Sequence, residues 1–257
     1  MNTPNFTPIE KHDGILVKRD DTYEIAGVLG GKVRACKRLA TQSDDGSRRA
    51  WPGLTTATGR ASPQMQLVAR LGAYLGLPVR CHCPSGSSSP EMVDAMAHGA
   101  ELVQHKPGYT SVLCARAAED AKALGYRYIP YGMEHPLAMR GTRNEVQSLI
   151  PYRKDIKRVV ICLGGGMSAA GVLWGLNDIK LDVPVIGVQV GGDPVKRITK
   201  NAPAFWQQRM TIKKSPIPYD EGYECWLGKV QLDLHYESKC RVYLEPGDLF
   251  WVVGRRV

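Results

Sequence analysis

The chain has 257 residues, 43% hydrophobic and 23% charged, which are the proportions of a soluble globular protein and exclude a disordered or fibrous one. Its longest apolar runs, at 159–163 and 250–253, fall far below the roughly 20 residues of a membrane span, and the opening Met1-Asn2-Thr3-Pro4 lacks the basic-then-apolar pattern of a secretory signal, so a cytoplasmic location is expected. The net charge of +9 attracts polyanions in general, but Arg48-Arg49, Lys213-Lys214 and Arg255-Arg256 are scattered doublets, so a solvated surface and a nucleic-acid footprint both stay open.

Strand-like runs alternate with helical patterns along most of the sequence, which predicts an α/β protein with a largely parallel sheet. The first chemical signal is Gly30-Gly31-Lys32-Val33-Arg34-Ala35-Cys36-Lys37, where two glycines let the chain turn sharply before an amine. A lysine desolvated in such a place has a lowered pKa and offers a neutral amine for carbonyl chemistry, although an exposed loop lysine would give the same string. From 64 to 75, Leu67, Val68, Leu71 and Leu75 form a helical stripe, ended by Gly76-Leu77-Pro78 ahead of a strand at 79–81. Seven cysteines without a signal peptide read as reduced thiols. Cys81-His82-Cys83 puts two sulfurs on one strand face, but no second pair completes a metal site, and buried strand cysteines are expected there.

A helix begins at Pro90 and leads to a strand at 101–103, and an alanine-rich helix over 111–124 leads to a strand over 125–130. Three helix-strand units in a row predict a compact small domain at 54–134, with 1–53 and 135–257 forming a larger discontinuous one. Beyond it come a helix over 142–150, a strand over 158–163 and a helix continuing over 172–176. Between the last two lies Gly164-Gly165-Gly166-Met167-Ser168-Ala169-Ala170-Gly171, a strand-glycine-helix junction that can present backbone N–H groups and a positive helix end to a phosphate. It lacks the Lys-Ser/Thr of a P-loop; Asp182 keeps a dinucleotide site open as a rival, as is a plain tight turn. A strand over 183–190 ends at Gly191-Gly192-Asp193, and 204–227 is proline-broken and yields no assignment. Finally, Asp233-Leu234-His235-Tyr236-Glu237-Ser238-Lys239 sets a phenol beside a carboxylate, either a proton-relay pair or an amphipathic surface segment.

The order of lysine turn, helix-strand domain, glycine loop and Tyr-Glu-x-Lys resembles the fold-type-II pyridoxal-phosphate (PLP) enzymes, whose fold is two α/β domains of parallel sheets with helices on both faces. It is most similar to the aminocyclopropane-carboxylate deaminase and D-cysteine desulfhydrase branch. Ile129-Pro130-Tyr131-Gly132 and the closing run Asp248 to Gly254 match that branch as well. The resemblance implies that Lys32 holds PLP as a Schiff base, that Gly164, Gly165, Gly166, Met167, Ser168 and Ala169 hold its phosphate, that Tyr236 moves protons and that Glu237 faces the pyridine nitrogen. It also implies a small amino-acid-like substrate that forms an external aldimine and undergoes deamination, elimination or decarboxylation, and a homodimer. The family's Gln-Ser-Asn-His substrate contact has its nearest counterpart in Arg60-Ala61-Ser62-Pro63-Gln64, which makes Arg60, Ser62 and Gln64 the substrate-binding candidates and lacks the asparagine. The chain is also shorter than that branch between Gly192 and Asp233, which suggests a differently shaped site mouth. Two alternatives accompany this reading: PLP-dependent tailoring of amino-acid-modified thymine in phage DNA, which the basic balance suits, and a non-catalytic PLP- or nucleic-acid-binding protein.

Overall fold

A computed structural model of the protein describes residues 6–254; the opening residues read for a signal and the Arg255-Arg256 doublet lie outside them. The chain divides into two compact units, one of residues up to 23, 29–32 and from 139 on, the other of 24–28 and 33–138.

The first unit is built on a six-stranded sheet in the order Ile9–His12, Ile15–Arg19, Asp248–Val252, Arg158–Leu163, Val185–Gln189 and Met210–Lys214. The outer pair 9–12 and 15–19 is antiparallel, and every other neighbour is parallel. Register places Leu16, Leu249, Val159, Val185 and Met210 in one row, with Val17, Phe250, Val160 and Ile186 in the next row on the opposite face. The first row packs with Val172, Leu173 and Leu176 of the helix Met167–Asp178. The second packs with Leu227, Val230, Leu232 and Leu244. A strand covered on both faces has no polar side to show, which is why 159–163 and 249–253 read as unbroken apolar runs.

Within this unit, Lys18 is fully buried, and its Nζ donates to Thr7 O at 2.7 Å and pairs with Glu145 Oε2 at 2.7 Å. The same carboxylate oxygen accepts from Thr7 N at 3.1 Å and Thr7 Oγ1 at 3.0 Å.

The second unit holds a parallel four-stranded sheet in the order Ala100–His105, Val79–Pro84, Leu54–Ala57 and Arg127–Ile129. Ala57 packs against Leu113 and Ala117 of the helix Thr110–Leu124, while Thr56, facing the other way, takes Gln64 from the helix Pro63–Leu75. Helices therefore cover both faces. The boundaries of these helices follow their punctuation: Ser62 and Pro63 open one, Ser89 Oγ accepts from Met92 N to open Pro90–Ala97, and Gly76 and Gly125 close in the left-handed region at φ 67°.

Several expectations are corrected. The helix expected over 142–150 is Pro136–Glu145, followed by a 3-10 stretch Val146–Tyr152 that carries Pro151, whose ring cannot continue an α-helix. The helix after the glycine loop begins at Met167, not at 172, since Ser168-Ala169-Ala170 are good first-turn residues. The unassigned 204–227 stretch contains the helix Trp206–Arg209, the edge strand Met210–Lys214 and half of a hairpin, Trp226–Leu227 with Val230–Gln231. Residues 33–53, expected in the large domain, belong to the second unit, tied there by Arg127, whose Nε donates to Leu39 O at 3.1 Å and whose Nη1 pairs with Asp44 at 2.8 Å. Cys81 and Cys83 are buried, and burial pushes the Cys81 thiol up to about 12. No helix among the described residues is long and apolar enough to cross a membrane.

Glu145→Ala is expected to lower the unfolding free energy by about 3–5 kcal/mol, because it leaves the interior Lys18 ammonium without its carboxylate. Urea denaturation followed by circular dichroism measures this; an unchanged midpoint would show that the pair contributes nothing net.

Candidate active site

The strands Arg158–Leu163, Val185–Gln189 and Asp248–Val252 run parallel and in register, so their carboxyl ends share one edge of the sheet, the usual ligand-binding edge of such sheets. The glycine loop follows the first of them. Gly166, at φ 86°, is the N-cap of the helix Met167–Asp178 and brings no side chain to cap it, so the N–H groups of Met167, Ser168 and Ala169 have no intrahelical acceptor. The loop is closely surrounded, most firmly at Gly166, whose positive φ adds to the crowding. A Cβ on Gly164 would lie 3.3 Å from the Tyr236 ring, one on Gly165 2.2 Å from the Arg197 guanidinium, and one on Gly166 2.6 Å from Ile198.

The lysine turn meets the end of the last strand. Gly31 N donates to Val253 O at 2.9 Å, and Gly30, at φ 101°, lies so close that a Cβ on it would be 3.0 Å from Gly254 Cα. Lys32 is the next residue, in the first turn of the helix Gly31–Thr41, and is exposed. Beneath the turn sits the buried Asp20, whose Oδ2 would be 2.6 Å from a Cβ on Gly31 and which accepts from Trp251 Nε1 at 3.4 Å and Thr7 Oγ1 at 3.3 Å.

Glu237 approaches the same strand end from the other side. It is buried, and its Oε1 accepts from Val253 N at 3.1 Å and Gly254 N at 3.3 Å. Burial, with the nearby Asp233 charge adding to it, pushes the Glu237 carboxyl up to about 8 against the opposing pull of those two N–H groups. Asp233 Oδ1 accepts from His235 N at 2.9 Å and Tyr236 N at 3.0 Å, an Asx turn that fixes how Tyr236 leaves the chain. The Tyr236 hydroxyl is 3.1 Å from that of Tyr219, with the rings edge-on at 5.6 Å. Tyr219 is held by Lys239, a fully buried residue whose Nζ donates to Tyr219 O at 3.0 Å and also to Pro218 O.

The first unit therefore brings the turn before Lys32, Glu237, Tyr236 and the loop Gly164–Gly166 to one sheet edge. It adds three residues that the sequence reading missed: Tyr219, Arg197 and Asp20. Tyr219 lies in the stretch with no periodic pattern, Arg197 looks like any surface helix cation, and Asp20 precedes the lysine motif by too many residues to be grouped with it.

The three substrate-binding candidates lie in the second unit. Gln64 is fully engaged as a brace: Nε2 donates to Thr56 Oγ1 at 3.0 Å and Pro130 O at 2.9 Å, and Oε1 accepts from Gly132 N at 2.8 Å. Its amide has no group left for a substrate carboxylate. Arg60 turns its Nη1 to Ser87 O at 3.0 Å and Ser87 Oγ at 3.2 Å, and lies against Gly86. Ser62 caps the helix Pro63–Leu75, accepting from Gln64 N at 3.4 Å, a long bond that leaves the hydroxyl proton available.

Known proteins share this arrangement of elements. The chain is 25% identical over 191 residues to the biosynthetic L-threonine dehydratase of Haemophilus influenzae, covering 71% of this chain and 36% of that one. It is 28% identical over 213 residues to the D-cysteine desulfhydrase of Yersinia pestis, covering 72% and 62%. The chain thus spans less than two thirds of the length of these relatives. Among solved structures, an ACC deaminase homologue superposes with a TM-score of 0.78 at 19% identity, over 98% of this chain and 90% of that one. Threonine deaminase isoform 2 of Solanum lycopersicum does so with 0.67 at 18% identity, over 98% and 79%, and the fold is that of these α/β proteins. The family described as pyridoxal-phosphate dependent enzyme matches residues 2–217 of the 257, and the chain belongs to that family, whose cofactor is pyridoxal phosphate.

Proposed function

We propose that the chain is a PLP-dependent enzyme that removes an amino or β-substituent group from a small amino acid, with Lys32 as the residue that carries the cofactor. The observation that carries the reading is the backbone of Val253, whose carbonyl accepts from Gly31 N in the turn before Lys32 and whose N–H donates to the buried acid Glu237. An amine and an acid are thereby indexed to one point, beside a loop with uncapped N–H groups. These residues fit the family's cofactor: the Lys32 amine suits its aldehyde, the loop 164–166 with the first turn of the following helix suits its phosphate, and Glu237 suits its ring nitrogen. When bound, the cofactor supplies an electron-withdrawing ring that stabilises negative charge at the substrate carbon beside the amine.

The chain's own groups then divide the proton traffic. Lys32 Nζ takes or returns the proton at the substrate carbon. Glu237 Oε holds a proton against the ring nitrogen, a task suited to a carboxyl whose affinity for protons is already raised. The paired hydroxyls of Tyr236 and Tyr219 pass a proton to the departing group, Asp233 fixing one and Lys239 the other. The dehydratase and desulfhydrase relatives point to loss of a hydroxyl or thiol from the β-carbon as the reaction class. The same groups would serve decarboxylation or an amino acid attached to a DNA base, a reading that the charge of +9 favours.

Two measurements test this. Protein supplied with PLP, reduced with borohydride and digested is expected to yield one labelled peptide, containing Lys32, and Lys32→Ala none; a label elsewhere refutes the assignment. The visible band of the bound cofactor is then screened against D- and L-amino acids and amino-acid-bearing DNA, with ammonia and keto acid assayed. Ammonia released with a keto acid from a hydroxy or thiol amino acid supports the reading, and a response confined to the modified DNA replaces it with the DNA substrate.

Glu237 also gives the cofactor-free protein a signed pH dependence. Between the ordinary carboxyl value of 4.5 and about 8 the folded chain keeps a proton that the unfolded chain has released. This contribution is fully present below about pH 4.5 and is lost as pH rises towards 8. Melting temperatures of cofactor-free wild type and Glu237→Gln, recorded from pH 5 to pH 9, are expected to diverge in favour of the variant as pH rises. Parallel curves would contradict the raised carboxyl.

A further inference from the structure

We propose that His82 and His105 form a one-proton switch in the second unit, in which an added proton displaces the Arg116 guanidinium from His105. The pair is separate from the groups assigned to catalysis above, and the inference does not depend on that function. His82 is buried on the strand Val79–Pro84, and His105 ends the neighbouring edge strand Ala100–His105. Their rings meet head to head, His82 Nδ1 lying 2.9 Å from His105 Nε2. The helix Thr110–Leu124 closes both ends of this row, with Asp120 Oδ2 3.0 Å from His82 Nε2 and Arg116 Nη1 3.1 Å from His105 Nδ1.

The partners fix where each hydrogen sits. A guanidinium can only donate, so His105 Nδ1 is an acceptor and carries no hydrogen. The single N–H of a neutral His105 is then at Nε2 and donates to His82 Nδ1, which leaves the N–H of His82 at Nε2, donating to Asp120. The row runs one way, Arg116 to His105 to His82 to Asp120, and every ring nitrogen is occupied. When a proton is added, the contact between the rings still holds one hydrogen and the contact with Asp120 another, so the extra one falls on His105 Nδ1. Two donors cannot face each other, and the guanidinium leaves. Arg116 is already exposed, so water takes over its N–H groups, while the other two contacts persist.

The surrounding charges are balanced before that proton arrives. Arg80, paired with Asp120 at 2.8 Å and with Glu101, stands with Arg116 against those two carboxylates. The strands Leu54–Ala57 and Arg127–Ile129 bring Thr55, Ala57 and Tyr128 to this face. Burial holds the His105 imidazole below the ordinary histidine value, the His82 and Arg116 neighbours adding to this against the pull of Asp120. The backbone of the pair also secures the next segments, His82 O accepting from Thr58 N at 3.0 Å and His105 O from Ser85 N at 2.7 Å. The switch therefore sits at the strand ends from which the loops of Ser62 and Ser87 depart.

Imidazole nitrogen resonances of cofactor-free protein, recorded from pH 8 to pH 5 and assigned with His82→Gln and His105→Gln, test this. At pH 8 both rings are expected to carry hydrogen on Nε2. On acidification they are expected to take up one proton as a unit, with a midpoint below the ordinary 6.5. Arg116→Gln is expected to raise that midpoint by about 0.5 to 1 pH unit, a roughly three- to tenfold gain in proton affinity, because the competitor for Nδ1 is gone. Asp120→Asn is expected to lower it by about as much, and Lys122→Gln, which removes an exposed charge from the last turn of the same helix, to move it by under about 0.2 unit. Hydrogen on Nδ1 of either ring at pH 8, separate midpoints for the two rings, or equal shifts in Arg116→Gln and Lys122→Gln overturn the proposal. Should Asp120→Asn fail to fold, since Arg80 also relies on that carboxylate, the comparison of Arg116→Gln with Lys122→Gln decides alone.

Discussion

The backbone of Val253 is where the site is assembled. Its carbonyl receives the N–H of Gly31, the residue before Lys32, and its N–H is received by Glu237. The strand it leaves, Asp248–Val252, lies inside the sheet, paired with Ile15–Arg19 on one side and Arg158–Leu163 on the other. A strand bonded along both edges cannot slide without breaking both ladders, so its exit point is among the better-fixed positions of the unit. Trp251 extends the same constraint sideways, its indole N–H reaching the Asp20 carboxylate beneath the lysine turn. Three segments far apart in sequence are thus located relative to one strand exit, by a backbone bond from Gly31 and by the buried side chains of Glu237, Trp251 and Asp20.

The two ends of the site differ in electrical character. At the strand exit a carboxyl is buried and pushed towards its neutral form by desolvation and by Asp233. At the glycine loop the helix Met167–Asp178 starts without a side-chain cap, and the Arg197 guanidinium lies beside Gly165.

Much of this was readable from the sequence, and the failures have physical causes. The strand before the glycine loop and the closing strand were legible because double-sided burial makes them unbroken apolar runs, and the helices of the second unit because Pro63, Pro90, Gly76 and Gly125 punctuate them. The lysine motif, the glycine loop and the Tyr-Glu pair stood out because each is local in sequence. The bracing bonds of Gln64 were not legible because they reach residues 8 to 68 positions away, which no local pattern discloses. Residues 33–53 were misplaced for the same reason, their anchor being Arg127. Tyr219 escaped because it lies in an irregular stretch, and Arg197 because a cation on a short helix carries no signature until the chain folds back on itself.

The stretch between Gly192 and Asp233, where the chain is shorter than its resemblance led one to expect, is nevertheless the part that brings side chains to the site from outside the motifs. Its first portion forms the helix that lays Arg197 over the loop, its middle supplies the edge strand Met210–Lys214, and its last portion turns back as a hairpin. That return is bonded along its length, Leu232 N donating to Cys225 O at 3.0 Å and Tyr223 N to Leu234 O at 2.9 Å. The buried Lys239 then closes it, its ammonium taking the carbonyls of Pro218 and Tyr219. An ammonium in the interior is tolerated only when its donors are satisfied, so loosening the 218–219 turn would expose Lys239 to a desolvation cost as well as release Tyr219. A short connection secured by a buried charge holds the tyrosine pair in register where a longer one would have needed packing of its own.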